Sequence, residues 1–190
     1  MLKKLKTQLK GKRIVLKINQ PSIGLAKEMF AVINTNRKHL RPWFPWEKAT
    51  VGPEDSLKYL FETQEKLNKG EKVDYGIYIN NKYVGSVGIF DINKDKKSGE
   101  IGYWLSTKFI RKGYMTEAVK LVEKEFFINY GLHRIQIRCD EKNLASAGVA
   151  KKCAYVFEGK RREDNYSKHF KNYRSTLVFS KLNREFKKAI

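Results

Sequence analysis

The 190-residue sequence is poor in cysteine and proline and contains no long apolar run. Its two cysteines, Cys139 and Cys153, are too few and too badly spaced for a disulfide framework or a zinc site, so we interpret both as small core residues. No apolar run approaches the roughly 20 residues that cross a bilayer. No secretion-type apolar block follows the lysine-rich start. We therefore expect a cytoplasmic protein without membrane association and without a metal site.

Acidic residues are also scarce, with 20 Asp and Glu against 40 Lys and Arg, which gives a net charge of +20. Such an excess favours an anionic partner, such as ribosomal RNA or a polyphosphate ligand. It is equally typical of a solvated surface in a lysine-rich proteome. No recognisable RNA-binding motif or helix-turn-helix decides between these two interpretations.

The composition is that of a folded protein, with 41% hydrophobic and 13% aromatic residues. The length predicts one domain over 1–190, with the first ten or so residues as a flexible basic tail. The apolar patterns predict an α/β chain with the order β-α-α-β-β-β-α-β-α-β-β. Its sheet is expected to be mixed and mostly antiparallel.

The segment from Gly99 to Tyr155 predicts the central unit of this sheet. Ile101–Leu105 is apolar on both faces, and 135–139 alternates as a strand with one core face. Between them lies a helix whose apolar residues share one face: Met115, Ala118, Val119, Val122 and Phe126. Gly131 is expected to end that helix. Together they predict a right-handed parallel βαβ unit, whose ligands lie beyond the carboxyl ends of the strands.

The flanking segments predict simpler features. Ser22 begins a helical pattern, Pro53 begins a second one, and Asn80-Asn81 predicts a hairpin turn. The prolines of 39–47 predict an irregular segment that carries Trp43 and Trp46. These two tryptophans, with Phe44 between them, suit either a substrate wall or a hydrophobic plug over the core.

A cationic turn connects the central strand to its helix. Lys108, Arg111 and Lys112 precede Gly113, which permits close approach of a ligand to the backbone. Backbone N–H groups at a helix start, together with flanking cations, favour a bound anion. The turn lacks the GxxxxGK and GxGxxG patterns, so an ATPase or a Rossmann dehydrogenase is not indicated.

The combined motifs resemble the GNAT-superfamily N-acetyltransferases, in particular the RimJ/RimL-type ribosomal-protein N-acetyltransferases. The resemblance extends from about Tyr75 to Leu182 and rests on these residues: Gly99–Leu105, Lys112–Tyr114, Thr116–Ala118, Gly131–Arg134, Asn143, Ser146 and Glu158-Gly159. It implies a GNAT-type sheet and acetyl transfer from acetyl-CoA to an amine, with no metal. Two positions depart from the family's phosphate motif, where Ile110 replaces Gln or Arg and Met115 replaces a small residue.

The resemblance also implies site residues. Acetyl-CoA is expected on a set shared between the cationic turn and the last long helix: Lys108, Arg111, Lys112, Gly113, Tyr114, Met115, Thr116 and Asn143. Glu100 is the candidate base, although it could also be a strand-end carboxylate paired with a nearby lysine. Ser146 is the candidate donor to the leaving thiolate or a surface serine, and Asn143 could be only a helix cap. Trp43 and Trp46 are expected on the acceptor side.

The function predicted in this way is acetylation of a protein N-terminal amine, such as that of a ribosomal protein. Two alternatives remain. One is acetylation of a small amine, for example a polyamine or an aminoglycoside. The other is a weakened GNAT domain that binds RNA or the ribosome through its basic surface. The protein is expected as a monomer or a homodimer.

Overall fold

The computed structural model describes residues 5–188. Over this range one eight-stranded sheet has the strand order β1-β2-β3-β4-β5-β6-β8-β7. The strands are β1 Gln8–Lys10, β2 Val15–Ile18, β3 Val73–Ile79, β4 Lys82–Asn93, β5 Ser98–Leu105, β6 Arg134–Asp140, β7 Val156–Ser167 and β8 Asn172–Leu182. The helices are α1 Ile23–Thr35, α2 Arg37–Leu40, α3 Pro53–Lys69, α4 Tyr114–Lys124, α5 Leu144–Lys152 and α6 Asn183–Lys188. Every strand pair is antiparallel except β5 with β6.

This architecture confirms the predicted mixed α/β sheet and its central parallel unit. The expected flexible tail is wrong for Gln8–Lys10, which pairs with β2 as an edge strand. The remainder of that tail includes residues 1–4, which lie outside the described residues. Beyond Phe157, pairing with β8 extends β7 to Ser167.

Local signals explain most element boundaries. The Ser22 side chain accepts a hydrogen bond from Leu25 N and caps α1. Asn80 and Asn81 have φ of 49° and 61°, the left-handed conformation that a tight hairpin turn requires. Gly131, with φ of 82°, ends the crossover helix as predicted, although its last turn, Glu125–Tyr130, is a π-helix.

The core occupies both faces of the sheet. On one face α4 and the π-helical turn after it bury the five apolar residues that the pattern predicts, each at most 7% exposed. On the other face α1 and α3 cover a smaller cluster that includes Met29, Leu60 and Tyr83. Phe61, the next residue after Leu60 on α3, is 56% exposed. No helix within residues 5–188 combines the length and apolarity needed to span a membrane.

The parallel pairing of β5 with β6 is short. It joins Ser98 to Arg134, Gly99 to Ile135 and Glu100 to Gln136, and then it ends. Both strands continue, β5 to Leu105 and β6 to Asp140, without pairing to each other. We call this separation of 101–105 from 137–140 the strand fork.

Candidate active site at the strand fork

A cleft of about 2280 Å³ passes through the strand fork. Its lining includes the start of α4 and the start of α5, which cover one face of the sheet. It also includes Glu100, Trp104 and the segment 41–50 on the other face. Most of the sequence-predicted cofactor residues and both predicted acceptor residues therefore line one opening.

The cationic turn has the geometry of an anion site. Arg111 and Gly113 adopt φ of 59° and 82°, and Gly113 precedes the first residue of α4. The backbone N–H groups of residues 111–116 donate to no acceptor within the described part of the chain. Donors gathered at a helix start attract a phosphate. We call Arg111–Thr116 the anion turn.

The predicted cofactor residues do not all face this cleft. Arg111, Gly113, Tyr114, Met115 and Thr116 line it. The side chains of Lys108 and Lys112 lie outside the lining, since the chain reverses direction around them. Met115 is only 7% exposed and packs in the core, so its bulk is directed largely away from the turn.

Arg13 is a site residue that the sequence pattern did not single out. Its Nη1 donates to the Lys112 carbonyl at 2.8 Å, and its Nε donates to Glu117 at 2.9 Å. Its guanidinium carbon lies 4.7 Å from the centre of the Tyr114 ring. Arg13 thus adds a cation to the anion turn from about 100 positions earlier in the chain, a contact that no local motif could reveal.

Asn143 and Ser146 are joined to β5 by hydrogen bonds. Asn143 Oδ1 accepts from Ser146 N at 3.1 Å, the helix-cap arrangement that the sequence allowed. Tyr103 OH lies 3.0 Å from Ser146 Oγ and donates to the Ser146 carbonyl at 3.1 Å. Burial raises the pKa of Tyr103 and keeps its hydroxyl protonated. Tyr103 therefore orients the Ser146 hydroxyl. Tyr103 lies within the motif Gly99–Leu105 of the sequence analysis, which gave it no role of its own.

Glu100 lies at the base of the strand fork and is only 5% exposed. Its Oε2 accepts from Gln136 Nε2 at 2.9 Å and from Arg138 Nε. Burial raises the pKa of Glu100, and Arg138 partly offsets that rise. The carboxylate is thus paired with an arginine rather than with a lysine, and its Oε1 makes no hydrogen bond to a described residue.

The tryptophan segment forms the wall of the cleft on the opposite face. Trp46 packs between Phe44 and Trp104, with ring centres 5.2 and 6.1 Å away. Trp43 contacts Phe170 of the β7–β8 turn at 6.1 Å. Trp43, Phe44 and Trp46 all line the cleft, and Phe44 also packs against the smaller core cluster.

Glu47 holds this wall in place. Its carboxylate is fully buried and accepts from Arg37 Nη1 and Arg41 Nε, both at 3.0 Å. The hydrogen bond from Arg41 is the main cause that lowers the pKa of Glu47. The segment 39–47 is therefore less irregular than predicted, because α2 extends to Leu40 and Pro45–Ala49 forms a 3₁₀ helix around this ion pair.

The cysteines have the buried positions that the sequence indicated. Cys139 is 8% exposed at the edge of the cleft, and Cys153 is 1% exposed. Burial raises the pKa of both thiols, that of Cys153 to about 12, so neither is a ready nucleophile. Within residues 5–188 no three His, Cys, Asp or Glu side chains are grouped to hold a metal ion.

Comparison of the sequence with models of known protein families identifies the family to which this chain belongs. Residues 16–156 match the model of the acetyltransferase (GNAT) domain. The chain belongs to the GNAT acetyltransferase family. The matched range contains β2–β6 and α1–α5, and therefore the strand fork and the anion turn.

Two curated relatives and one solved structure illustrate the similarity. YjcK of Bacillus subtilis, named a probable N-acetyltransferase, is 35% identical over 114 residues, 58% of this chain and 63% of YjcK. The ribosomal-protein-serine acetyltransferase of Escherichia coli is 23% identical over 133 residues, 70% of this chain and 74% of that protein. The structure of RimL, a ribosomal L7/L12 α-N-protein acetyltransferase in complex with coenzyme A, is 19% identical. It superimposes with a TM-score of 0.85 over 92% of this chain and 97% of RimL, which shows a shared fold.

The anion turn gives a first testable prediction. A Cβ at Gly113 would lie 3.2 Å from Arg13 Nη2, and the φ of 82° is strained for any other residue. We expect Gly113→Val to weaken acetyl-CoA binding by about tenfold or more while the fold survives, measured by calorimetry. The control is Gly24→Val, because a Cβ at Gly24 has no atom within 4 Å. Equal affinities in the two variants would contradict the assignment.

Proposed function

We propose that this chain transfers an acetyl group from acetyl-CoA directly to an amine, and that the acceptor is a protein N-terminal amine such as that of a ribosomal protein. One observation carries the proposal: the strand fork opens between an anion turn with free N–H groups and an aromatic-walled cleft. The sequence similarity to the ribosomal-protein-serine acetyltransferase supports the acceptor class. A ribosomal acceptor would place the reaction in the cytoplasm.

The residues present fit acetyl-CoA, which supplies the activated acetyl thioester. The N–H groups of the anion turn, with the cations of Arg13 and Arg111, suit its pyrophosphate. The Asn143 amide nitrogen, which the helix cap does not use, is available to its pantetheine arm. The unpaired edges of the strand fork offer further backbone groups along the same path.

Proton transfer at two positions completes the proposed mechanism. The acceptor arrives as an ammonium, because free amines have pKa values of about 8 to 10. Glu100 accepts its proton, through water, at the carboxylate oxygen that Arg138 leaves free. Ser146 donates a hydrogen bond to the departing thiolate when the single Tyr103 proton is donated to Ser146 Oγ instead of to the Ser146 carbonyl. Transfer is direct because the buried thiols of Cys139 and Cys153 do not suit an acyl-enzyme.

The acceptor class is tested by thioester consumption with acetyl-CoA against ribosomal proteins, N-terminal peptides and polyamines, with mass spectrometry of the products. Acetylation of a peptide α-amine supports the proposal. Consumption with polyamines alone would replace the protein acceptor by a small amine. No consumption with any acceptor, combined with RNA binding, would favour the weakened binding domain.

Ser146 gives the second prediction. Ser146→Ala removes the proposed donor to the thiolate, and we expect kcat to fall about 10²-fold with little change in acetyl-CoA affinity. The matched control is Ser98→Ala on β5, because the Ser98 hydroxyl makes no hydrogen bond to a described residue. Wild-type turnover in Ser146→Ala would remove this residue from the mechanism.

The pH profile gives the third prediction. Glu100 works as a base only when ionised, so the rate should rise with pH through its raised pKa. Glu100→Gln should abolish that acid limb and lower kcat. Arg138→Gln should move the limb to higher pH, since Arg138 lowers the pKa of Glu100. An acid limb that is identical in all three proteins would exclude Glu100 as the base.

The tryptophan wall gives the fourth prediction. Trp43→Ala should raise the acceptor KM severalfold and leave acetyl-CoA affinity nearly unchanged, because Trp43 lies across the cleft from the anion turn. Phe61→Ala serves as the control, since Phe61 is an exposed aromatic outside the cleft. A large loss of stability with normal kinetics would instead identify Trp43 as a core plug.

A further inference from the structure

A buried carboxylate that the mechanism does not use faces the cleft between α3 and the sheet. Asp74, on β3, is 5% exposed. Its Oδ2 accepts from Asn19 Nδ2 at 2.7 Å, from Tyr59 OH at 3.2 Å and from Ser86 Oγ at 3.5 Å. All three donors are neutral, and among the described residues no Lys or Arg nitrogen lies within 4.0 Å of this carboxylate.

Two polar atoms beside the cleft have no partner among residues 5–188. Asp74 Oδ1 makes no hydrogen bond, although the residue lines the cleft. Ser56 Oγ, on a residue that is 2% exposed and also lines the cleft, has no partner either. Buried polar groups are normally hydrogen-bonded, so the unpartnered Ser56 Oγ is unusual, and Asp74 Oδ1 retains the capacity to bind a ligand that enters from the cleft. We call the space lined by Ser56, Tyr59, Asp74 and Ser86 the Asp74 recess.

Asp74 supplies the negative charge of the Asp74 recess, and the Lys72 ammonium lies beside the recess without occupying the free oxygen of Asp74. Lys72 Nζ donates to Tyr59 OH at 2.8 Å. The Tyr59 hydroxyl therefore separates the Lys72 ammonium from the Asp74 carboxylate, and the two charges attract each other without direct contact. Tyr59 and Tyr83 remain protonated, because burial raises the pKa of each. Burial also raises the pKa of Asp74, and an ammonium at its free oxygen would stabilise the ionised form.

The distance from the Asp74 recess to the strand fork follows from the strand register. Asp74 on β3 pairs with Gly88 on β4, and Gly88 pairs with Gly102 on β5. Gly102 lies two residues beyond Glu100, the last β5 residue that pairs with β6, and therefore on the same face of the sheet as Glu100. Two strand spacings amount to about 10 Å. A Cβ at Gly102 would lie 2.7 Å from the Phe90 ring, so that ring covers the sheet between the two points. A substrate chain that extends from the strand fork to the Asp74 recess would therefore cross an apolar ring and end at a carboxylate.

We propose that the Asp74 recess binds a second ammonium group of the acceptor, about 10 Å from the amine that is acetylated. The inference rests on the proposed function and adds substrate selectivity to it. A lysine at the second position of an N-terminal peptide has this spacing between its Nζ and the α-amine, about 10 Å when extended. Its methylenes would cross Phe90. An aliphatic polyamine presents the same chemistry.

The test compares two peptides that differ only at the second residue, lysine against its uncharged analogue norleucine. We expect wild-type kcat/KM to favour lysine at least tenfold, mainly through KM. Asp74→Asn should bring this ratio close to one with little change in kcat for the norleucine peptide. Ser56→Val, which fills the recess from α3, should reduce the ratio by an independent route.

The control is Glu62→Gln, which removes another acid that lines the cleft on α3 and should retain the lysine preference. Melting midpoints check that each variant folds. Equal rates for the two peptides in the wild type, or an unchanged ratio in both recess variants, would overturn the inference and leave the proposed function intact. A higher kcat/KM for spermidine, lost in Asp74→Asn, would support the recess and assign its cation to a polyamine. Absence of acetylation with every acceptor would instead overturn the proposed function.

Discussion

The parallel pairing of β5 and β6 ends at Glu100 and Gln136, and every part of the candidate site depends on that ending. At this point Arg138 and Gln136 hold the Glu100 carboxylate across the two strands. Beyond it the strands separate, and Tyr103 turns to α5 instead of supporting a neighbouring strand. The gap exposes backbone edges that a closed sheet would consume in pairing, which is why one cleft can reach both faces.

The two faces of the sheet differ in charge and therefore in what they can bind. On the α4 side the anion turn, Arg13 and Arg111 favour phosphate. On the α3 side the described cleft lining includes three buried carboxylates, and Glu47 and Glu100 are paired with arginines whereas Asp74 is not. In a protein with a net charge of +20, Asp74 is thus a cleft carboxylate without an arginine partner, although cations such as Lys72 and Arg138 also line the cleft. The overall charge gave no sign of this carboxylate, because the balance of a whole chain does not describe one cleft.

The periodicity of apolar residues and the residue types at turns were sufficient to predict most of the fold. The apolar face of α4, the asparagine turn and the glycine end of the crossover helix are local properties, and each is confirmed. The missed features depend on contacts between distant segments. Arg13 reaches the anion turn from the β1–β2 region, β7 is a strand because β8 pairs with it, and the Asp74 recess needs α3 over β3. Asp74 itself lies on β3, the strand before the predicted Asn80-Asn81 turn, where the sequence pattern gives no reason to single out one carboxylate.

Hydrogen–deuterium exchange with and without acetyl-CoA tests the central role of the strand fork most directly. Binding should slow exchange of the anion turn, of 101–105 and of 137–140, because the free N–H groups of those segments would gain partners or lose access to solvent. Exchange in the exposed β7–β8 hairpin should remain unchanged. Protection confined to that hairpin, or none at the strand fork and the anion turn, would contradict the placement of the site.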